Sequence, residues 1–298
     1  MSLKEEILAA LASAGLSPLH RFGQNFMIDA AALQTLVAEL ALSPDVAVVE
    51  VGPGTGVLTE RLLALGARVT AVEIDRGLHD LLAGRFAEQI PAQLTLVHGD
   101  CLETKNRLHP AIIAAAASGA WRLGANLPYD VALPVLLNAA ALPRPPELAV
   151  VTVQWEAAER LCARPGQDAW GASSATLQAA GRPKLLRKLP PDCFYPRPRV
   201  DSAVLRWEPQ AALPDGFGRW CRAVFSSRRK VVVRALRDHD VERDAAEESC
   251  RACGIAAERR LESLDAPELL ALYRALGVTG VTGVSGVIVE PGEEGSIP

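Results

Sequence analysis

Residues 48–56 read Val-Val-Glu-Val-Gly-Pro-Gly-Thr-Gly, an apolar run that leads directly into a glycine-rich turn. Glycine lets the backbone turn tightly and approach a ligand closely, and a helical pattern follows over residues 56–65. A dinucleotide-binding turn, G-x-G-x-x-G, would need its third glycine at Val57, whereas this chain has it one residue earlier. That spacing, with Glu50 just before the turn, favours a nucleoside ligand over a pyrophosphate.

Strand-like runs alternate with helical patterns from about residue 46 to residue 208. Such alternation predicts an α/β fold in which a parallel, Rossmann-like sheet carries helices on both faces. A later run, residues 200–208, alternates apolar and polar side chains and predicts an antiparallel strand. The other strands are predicted at residues 46–51, 68–73, 93–98, 121–125 and 147–154, and the helices at residues 56–65, 77–86, 111–118 and 133–142.

The pattern becomes entirely helical after Pro214, with helices predicted at residues 217–225, 227–236, 243–253 and 266–276. The chain then continues with GVTGVTGVSGV, whose regular glycines are typical of a flexible segment. We therefore expect three parts: a ligand-binding α/β domain over residues 1–210, a small all-helical domain over residues 211–277 and a flexible tail over residues 278–298.

The composition disfavours several classes of protein. The 298 residues are 49% hydrophobic, enough for a full core, yet no apolar run reaches the roughly 20 residues that span a membrane. The six cysteines are scattered, and Cys250 and Cys253 form a lone C-x-x-C without a second pair. We therefore expect ordinary thiols, no metal site, no membrane contact and a reduced, cytoplasmic setting.

Positive charge is concentrated in one segment, although the chain as a whole carries a net charge of −4. Residues 181–237 contain 14 basic and 4 acidic residues, a net charge of +10. Such a block is typical of a protein that contacts the phosphate backbone of a nucleic acid. It also disfavours a protein or a small molecule as the substrate.

Residues 126–129 read Asn-Leu-Pro-Tyr and follow a short apolar run, which places them at the tip of a predicted strand. The side-chain oxygen of Asn126 and the backbone carbonyl of Pro128 can accept hydrogen bonds from a flat amino group, while Tyr129 can stack on the ring that carries it. The tetrapeptide therefore predicts methylation of a planar exocyclic amine, such as that of adenine.

Acidic residues end the second and third predicted strands. Glu73 can accept hydrogen bonds from both ribose hydroxyls of a nucleoside, and Asp100 can accept one from an adenine amino group. Because the ends of parallel strands meet at one edge of the sheet, we expect both acids in the same crevice as the glycine-rich turn.

Together these motifs resemble those of S-adenosylmethionine-dependent methyltransferases, and several segments resemble the ribosomal RNA adenine dimethyltransferase family in particular. The resemblance runs from about residue 18 to residue 276 and rests on residues 21–29, 126–129, 153–154 with Glu156, 194–204 and 225–230. It implies a class I methyltransferase sheet and S-adenosyl-L-methionine as the methyl donor. It also implies a donor site lined by Asn25, Met27, Gly52, Gly54, Glu73, Asp100 and Asn126.

The same resemblance implies that the substrate is small-subunit ribosomal RNA in an immature subunit, where two adjacent adenines each receive two methyl groups on N6. Tyr129 and Phe194 would sandwich the target base while Asn126 and Pro128 hold its amine. We expect a monomer that contacts RNA phosphates through Arg197, Arg199, Arg228, Arg229 and Lys230.

Several positions depart from the family pattern, and they fall on the RNA side of the predicted site. Relatives usually have Lys at Trp155, Tyr-Gly-Arg at residues 170–172, Thr at Leu133 and Thr-x-Arg-Asn at residues 231–234. Two alternatives therefore stay open. One is a methyltransferase for large-subunit ribosomal RNA of the antibiotic-resistance type, and the other is a weakly active ribosome-assembly factor that binds RNA.

Overall fold

The structure, a computed structural model, describes residues 1–19 and 22–278. The chain divides into two compact units, the first from Met1 to Asp215 and the second beginning at Gly216. The predicted tail lies outside the described residues except for Val278, where the last helix ends, and it stays a prediction. None of the helices in the described part of the chain is long and apolar enough to cross a membrane.

The first unit contains a mixed β-sheet. Its strands are β1 (Phe26–Met27), β2 (Ala47–Val51), β3 (Arg68–Glu73), β4 (Leu94–His98), β5 (Leu102–Thr104), β6 (Arg107–Leu108), β7 (Trp121–Asn126), β8 (Leu148–Gln154), β9 (Gly181–Leu189), β10 (Phe194–Tyr195) and β11 (Ser202–Pro209). Within the described residues, seven of them form one sheet in the order β4-β3-β2-β7-β8-β11-β9. The first five strands in this order, β4-β3-β2-β7-β8, run parallel to one another. The next strand, β11, is antiparallel to both of its neighbours. The predicted parallel sheet and its late antiparallel strand are confirmed.

Helices flank the sheet and bury its apolar side chains. They are α1 (Leu3–Ser13), α2 (Ala30–Glu39), α3 (Val57–Ala64), α4 (Arg76–Arg85), α5 (Pro110–Ser118), α6 (Tyr129–Ala140), α7 (Trp155–Cys162) and α8 (Ala172–Ala180). Leu36 of α2 belongs to one buried cluster with Val48, Val150 and Val204 of the sheet. Burial of this apolar surface, at about 25 cal/mol per Å², is the main force that holds the helices on the sheet.

Strand β9 was not predicted from the sequence. Residues 181–189 carry four basic side chains and Pro183, a composition that hides the period-two pattern of a strand. The structure explains both features, because β9 is the last strand of the sheet and none of the described residues forms a strand on its outer side. Proline and charged side chains are tolerated, and even useful, on such an edge because they prevent pairing with another chain.

The second unit is helical in its described part. Its helices are α9 (Phe217–Val224), α10 (Val232–Arg237), α11 (Arg243–Ala252) and α12 (Ala266–Val278). An aromatic cluster joins α9 to α12, where the rings of Trp220 and Tyr273 lie 5.4 Å apart. The prediction of a helix over residues 227–236 was too long, because α10 begins only at Val232 and a 3₁₀ turn occupies Phe225–Ser227.

Gly56 is required at the turn between β2 and α3. Its φ is +86°, and a Cβ atom there would lie 2.6 Å from Cε2 of Phe86 and 2.7 Å from Cδ2 of Leu82. Gly56→Ala is therefore expected to lower the free energy of unfolding by roughly 1–3 kcal/mol, measured by chemical denaturation. Gly84→Ala in α4 is the control, because a Cβ at Gly84 meets nothing within 4 Å and should leave stability unchanged or raise it. Equal stability of the two variants would contradict this account.

Candidate active site

The carboxyl ends of β2, β3 and β7 line one cleft in the first unit. The cleft is open to solvent on one side and is a concave site of the kind that binds small ligands. A second cavity adjoins it and shares Gly52, Ile74 and Pro128 with it. Residues of the glycine-rich turn, of the β3 end and of the Asn126–Tyr129 segment line the first cleft, together with the segment that contains Asn25 and Met27.

The glycines of the turn are fitted closely to this cleft. Gly52 has a φ of +65°, and a Cβ there would lie 3.3 Å from Cγ of Pro128. Gly54 has a φ of +63°, and a Cβ there would lie 2.9 Å from the ring of Phe26. Both positions therefore favour glycine, because their φ angles are positive and a Cβ atom would be crowded. The backbone of the turn, without side chains at these positions, forms the cleft wall. This cradle fits a nucleoside-containing donor that needs close contact with the main chain.

Glu73 holds the glycine-rich turn against the end of β3. Its carboxylate accepts hydrogen bonds from the backbone N–H of Gly54 at 3.0 Å and of Asp75 at 2.9 Å. Burial raises the pKa of Glu73 to about 7, although these hydrogen bonds oppose the rise. Each carboxylate oxygen keeps further acceptor capacity, so Glu73 can also receive ribose hydroxyls, as the sequence predicts.

Glu50 was not predicted as a site residue, although the sequence shows it just before the turn. It lines the same cleft, is 1% exposed and accepts a hydrogen bond from the hydroxyl of Thr59 at 2.7 Å. Burial raises its pKa to about 8, a rise to which the charge of Glu73 also contributes. The cleft therefore contains two buried carboxyl groups that titrate near neutral pH.

Asn126, the last residue of β7, is anchored on both sides of its amide. Its Nδ2 donates to the backbone oxygen of Asn25 at 2.8 Å, and its Oδ1 accepts from the hydroxyl of Thr152 on β8. Asn25 in turn donates from its own Nδ2 to the oxygen of Gly23 at 3.1 Å. The predicted residues Asn25 and Asn126 are thus in direct contact, and Thr152, which the sequence analysis did not identify, fixes the amide.

The Pro128 carbonyl is hydrogen-bonded within the protein. It accepts hydrogen bonds from the backbone N–H of Val131 and of Ala132, each at 3.1 Å, because Pro128 caps the first turn of α6. This capping also explains why α6 begins at Tyr129 rather than at residue 133. The ring of Pro128 packs against Gly52 in the cleft wall. The predicted contact of the Pro128 carbonyl with an amine stays a prediction.

The two predicted aromatic residues have different environments. Tyr129 lines the cleft, and its hydroxyl lies 2.6 Å from Oγ of Ser202 on β11. Burial raises the pKa of Tyr129, which keeps the phenol neutral. Phe194 is 2% exposed, pairs with Met27 through the β1–β10 ladder and belongs to the apolar core. Its ring is therefore covered in this conformation, and its stacking on a base stays a prediction.

Asp100 lies at the margin of the second cavity. Its neighbours Gly99 and Cys101 line that cavity, whereas Asp100 is exposed and accepts a hydrogen bond from the backbone N–H of Leu102 at 2.9 Å. Its predicted contact with an adenine amino group stays a prediction. Among residues 1–19 and 22–278, no group of three or more His, Cys, Asp and Glu side chains could hold a metal ion.

The predicted phosphate contacts differ in how far their charge is already balanced. In the first unit, Arg197 pairs with Asp192 at 3.1 Å, whereas Arg199 is exposed. In the second unit, Lys230 donates to Asp238 at 2.6 Å, and Arg228 lies 3.6 Å from Glu262. Arg229 is exposed and makes no ion pair within the described part of the chain.

An open sheet with five parallel strands, a glycine-rich turn after β2 and an acid at the end of β3 define a class I S-adenosylmethionine-dependent methyltransferase. The model of the family described as ribosomal RNA adenine dimethylase matches residues 18–276. The chain belongs to this family.

Similar proteins agree with this assignment. A ribosomal RNA small subunit methyltransferase A from Acidothermus cellulolyticus is 37% identical and covers 88% of this chain and 90% of its own. One from Synechococcus sp. (strain JA-3-3Ab) is 39% identical and covers 86% of this chain and 91% of its own.

Two solved structures show the same fold. A dimethyladenosine transferase from Plasmodium falciparum has a TM-score of 0.69 at 20% identity and covers 86% of this chain and 98% of its own. The 23S rRNA methyltransferase ErmE has a TM-score of 0.60 at 21% identity and covers 85% of this chain and 100% of its own.

Proposed function

We propose that the protein transfers methyl groups from S-adenosyl-L-methionine to the N6 amines of adenines in small-subunit ribosomal RNA, two to each adenine, while the subunit is immature. The observation that carries the proposal is the position of Asn126 and Tyr129, which line the same cleft as the glycine-rich turn and Glu73. The two relatives above, both named small subunit methyltransferases, support the small-subunit RNA over the large-subunit alternative.

Asn126 would position the amine. The donor, when bound, supplies an electrophilic methyl group on a sulfonium sulfur. Because the Thr152 hydroxyl takes one lone pair of Asn126 Oδ1, the second lone pair is available for an N6–H of adenine. This hydrogen bond would turn the lone pair of the amine toward the methyl group, and positioning of this kind contributes roughly 7–11 kcal/mol in favourable cases.

Leu127 is the better candidate for the second acceptor. The oxygen of Pro128 already receives two N–H groups of α6, whereas no hydrogen bond to the Leu127 oxygen is found within the described residues. Two acceptors, the Asn126 side chain and the Leu127 carbonyl, would hold both N6–H bonds. The proton is released to solvent once the nitrogen carries the new methyl group.

Tyr129 would stack on the splayed adenine, since base stacking on an aromatic ring contributes about 1–3 kcal/mol. The hydrogen bond to Ser202 fixes the edge of the ring and so limits its rotation. Phe194 would supply the second face only if RNA binding moves β10 away from β1 and uncovers the ring.

The proposal is tested by a methyl-transfer assay on isolated immature small subunits, with mass spectrometry of the modified bases. Dimethyladenosine in the small-subunit RNA would support it. Donor binding without product would instead identify an assembly factor. The departures from the family on the RNA side are the reason why this alternative is tested. Product only in large-subunit RNA would support the resistance-type alternative. We also propose that the protein is a cytoplasmic monomer. Gel filtration of the donor-bound protein would check the monomeric state.

Arg229 is expected to contribute more to RNA affinity than Lys230. Arg229→Ala should reduce the slope of log affinity against log salt concentration by about 0.7–0.9, the value for one lost phosphate contact. Lys230→Ala should change the slope less, because Asp238 already neutralises that ammonium group. The control is Arg243→Ala, since Arg243 pairs with Glu247 at 2.7 Å in the same unit. If Arg229→Ala left the salt dependence of RNA affinity unchanged, Arg229 would not be a phosphate contact.

A further inference from the structure

Trp155 lies at the active-site edge of the sheet and is the tryptophan with a partly exposed ring. The other four tryptophans, Trp121, Trp170, Trp207 and Trp220, are each at most 2% exposed. A tryptophan that is partly accessible at this edge of the sheet offers a flat aromatic face, and aromatic faces of this kind bind unpaired bases by stacking.

The sheet register places Trp155 next to the residues of the proposed base site. In the β8–β11 ladder, Gln154 pairs with Ser202, whose Oγ contacts the hydroxyl of Tyr129. In the β7–β8 ladder, Thr152 pairs with Asn126. Trp155 directly follows Gln154, so its backbone lies about 10 Å beyond Thr152 at the strand rise of about 3.3 Å per residue. Trp155 is not among the residues that line the cleft, so a base on its ring would lie beside the target adenine rather than at its position.

One contact touches the ring of Trp155, and two further contacts hold its backbone and its Lys188 partner. The backbone N–H of Trp155 donates to the oxygen of Asp201 at 2.9 Å. The ammonium group of Lys188 lies 4.7 Å from the ring centroid, a cation–π contact that covers one part of the ring. Lys188 is in turn held by the carboxylate of Asp201 at 2.7 Å. The ring is thus pre-oriented by an edge-strand cation, which lowers the entropy lost when a ligand stacks on it.

We propose that Trp155 stacks on the base of a nucleotide adjacent to the target adenine, and that the Lys188–Asp201 pair holds its ring for this contact. The inference rests on the proposed function, because the partner is single-stranded RNA whose neighbouring adenine occupies the Asn126 site. Stacking is tolerant of base identity, so this contact would select an unpaired neighbour rather than a particular sequence.

A variant series separates stacking from packing. Trp155→Ala and Trp155→Leu are both expected to raise the KM for immature small subunits about tenfold while the dissociation constant of the methyl donor stays unchanged. Trp155→Phe should keep most of the wild-type affinity, because it keeps an aromatic face. Leu65→Ala is the matched control, since Leu65 is 48% exposed and follows α3, at the opposite edge of the sheet. Wild-type kinetics in Trp155→Leu, whose side chain keeps the apolar bulk without the ring, would overturn the proposal.

Fluorescence provides a readout that does not depend on methylation. An unstructured adenine-containing oligoribonucleotide, at concentrations where its anisotropy shows saturated binding, is expected to quench the tryptophan emission of the wild type. Trp155→Phe should abolish that quenching, because the remaining tryptophans are buried. Equal quenching in the variant, or bound RNA without quenching in the wild type, would overturn the proposal. If the wild type leaves adenine unmethylated but its emission is still quenched through Trp155, then the proposed function fails and the stacking site stands.

Discussion

Asn126→Ala is expected to lower the rate of methyl transfer by about 10²–10³-fold, the usual cost of removing one positioned hydrogen-bonding group from an active site. The donor should bind only somewhat more weakly, because the variant loses the contact with the oxygen of Asn25 but keeps the glycine-rich turn and Glu73. Single-turnover methylation of immature small subunits, at saturating donor, measures the chemical step. Donor titration of the same variant by calorimetry separates binding from chemistry.

Thr152→Val is the matched variant for this prediction. It removes the hydroxyl that donates to Asn126 Oδ1 but leaves the amide in place, so it should lower the rate about tenfold, in keeping with one lost hydrogen bond. Thermal unfolding of both variants excludes a general loss of the fold. A wild-type rate in Asn126→Ala would refute the assigned role, and a wild-type rate in Thr152→Val would show that the amide is held well enough by Asn25 alone.

Much of the sheet could be predicted because local sequence determines it directly. The predicted and observed ends of β3 coincide at Arg68 and Glu73, since that strand is a short apolar run bounded by polar residues. Strand β9 could not be predicted in this way. Its identity as a strand depends on pairing with β11, a contact that the local pattern of Arg182, Lys184 and Pro183 does not contain.

The site follows the same division. Gly52, Gly54 and Glu73 could be selected from the sequence because the glycines directly follow β2 and Glu73 ends β3. The structure joins the two strand ends through the Gly54–Glu73 hydrogen bond. Thr152 and Ser202 carried no local signal, because their roles arise only when β8 and β11 bring them to Asn126 and Tyr129. The capping of α6 by the Pro128 carbonyl could not be predicted, because it is a property of the folded backbone.

The affinity for the methyl donor is expected to rise with pH. Glu50 and Glu73 line the cleft, and burial raises their pKa values to about 8 and about 7. Because both pKa values lie above the ordinary value, protonation of these two groups favours the fold without ligand. Their own contribution to stability is greatest below about pH 4.5 and falls as pH rises toward about 8. A cationic donor favours the ionised carboxylates instead. Binding therefore releases protons, and affinity should increase by up to about tenfold per pH unit for each proton released, then level off above pH 8.

Glu50→Gln isolates one of the two carboxyl groups. Calorimetric titration with S-adenosyl-L-methionine from pH 6 to pH 9 should show a shallower pH dependence in this variant, with near wild-type affinity at the acid end and the largest loss at the alkaline end. Glu88→Gln, at an exposed position, should reproduce the wild-type curve. The binding of S-adenosylhomocysteine, which lacks the sulfonium charge, should depend less on pH than that of the donor.

If the slope for the donor were the same in Glu50→Gln as in the wild type, the proton released on binding would have to come from Glu73 or from elsewhere. Because Glu73 also holds the glycine-rich turn, a second titration of Glu73→Gln would separate these sources: loss of the slope there would assign the proton to Glu73.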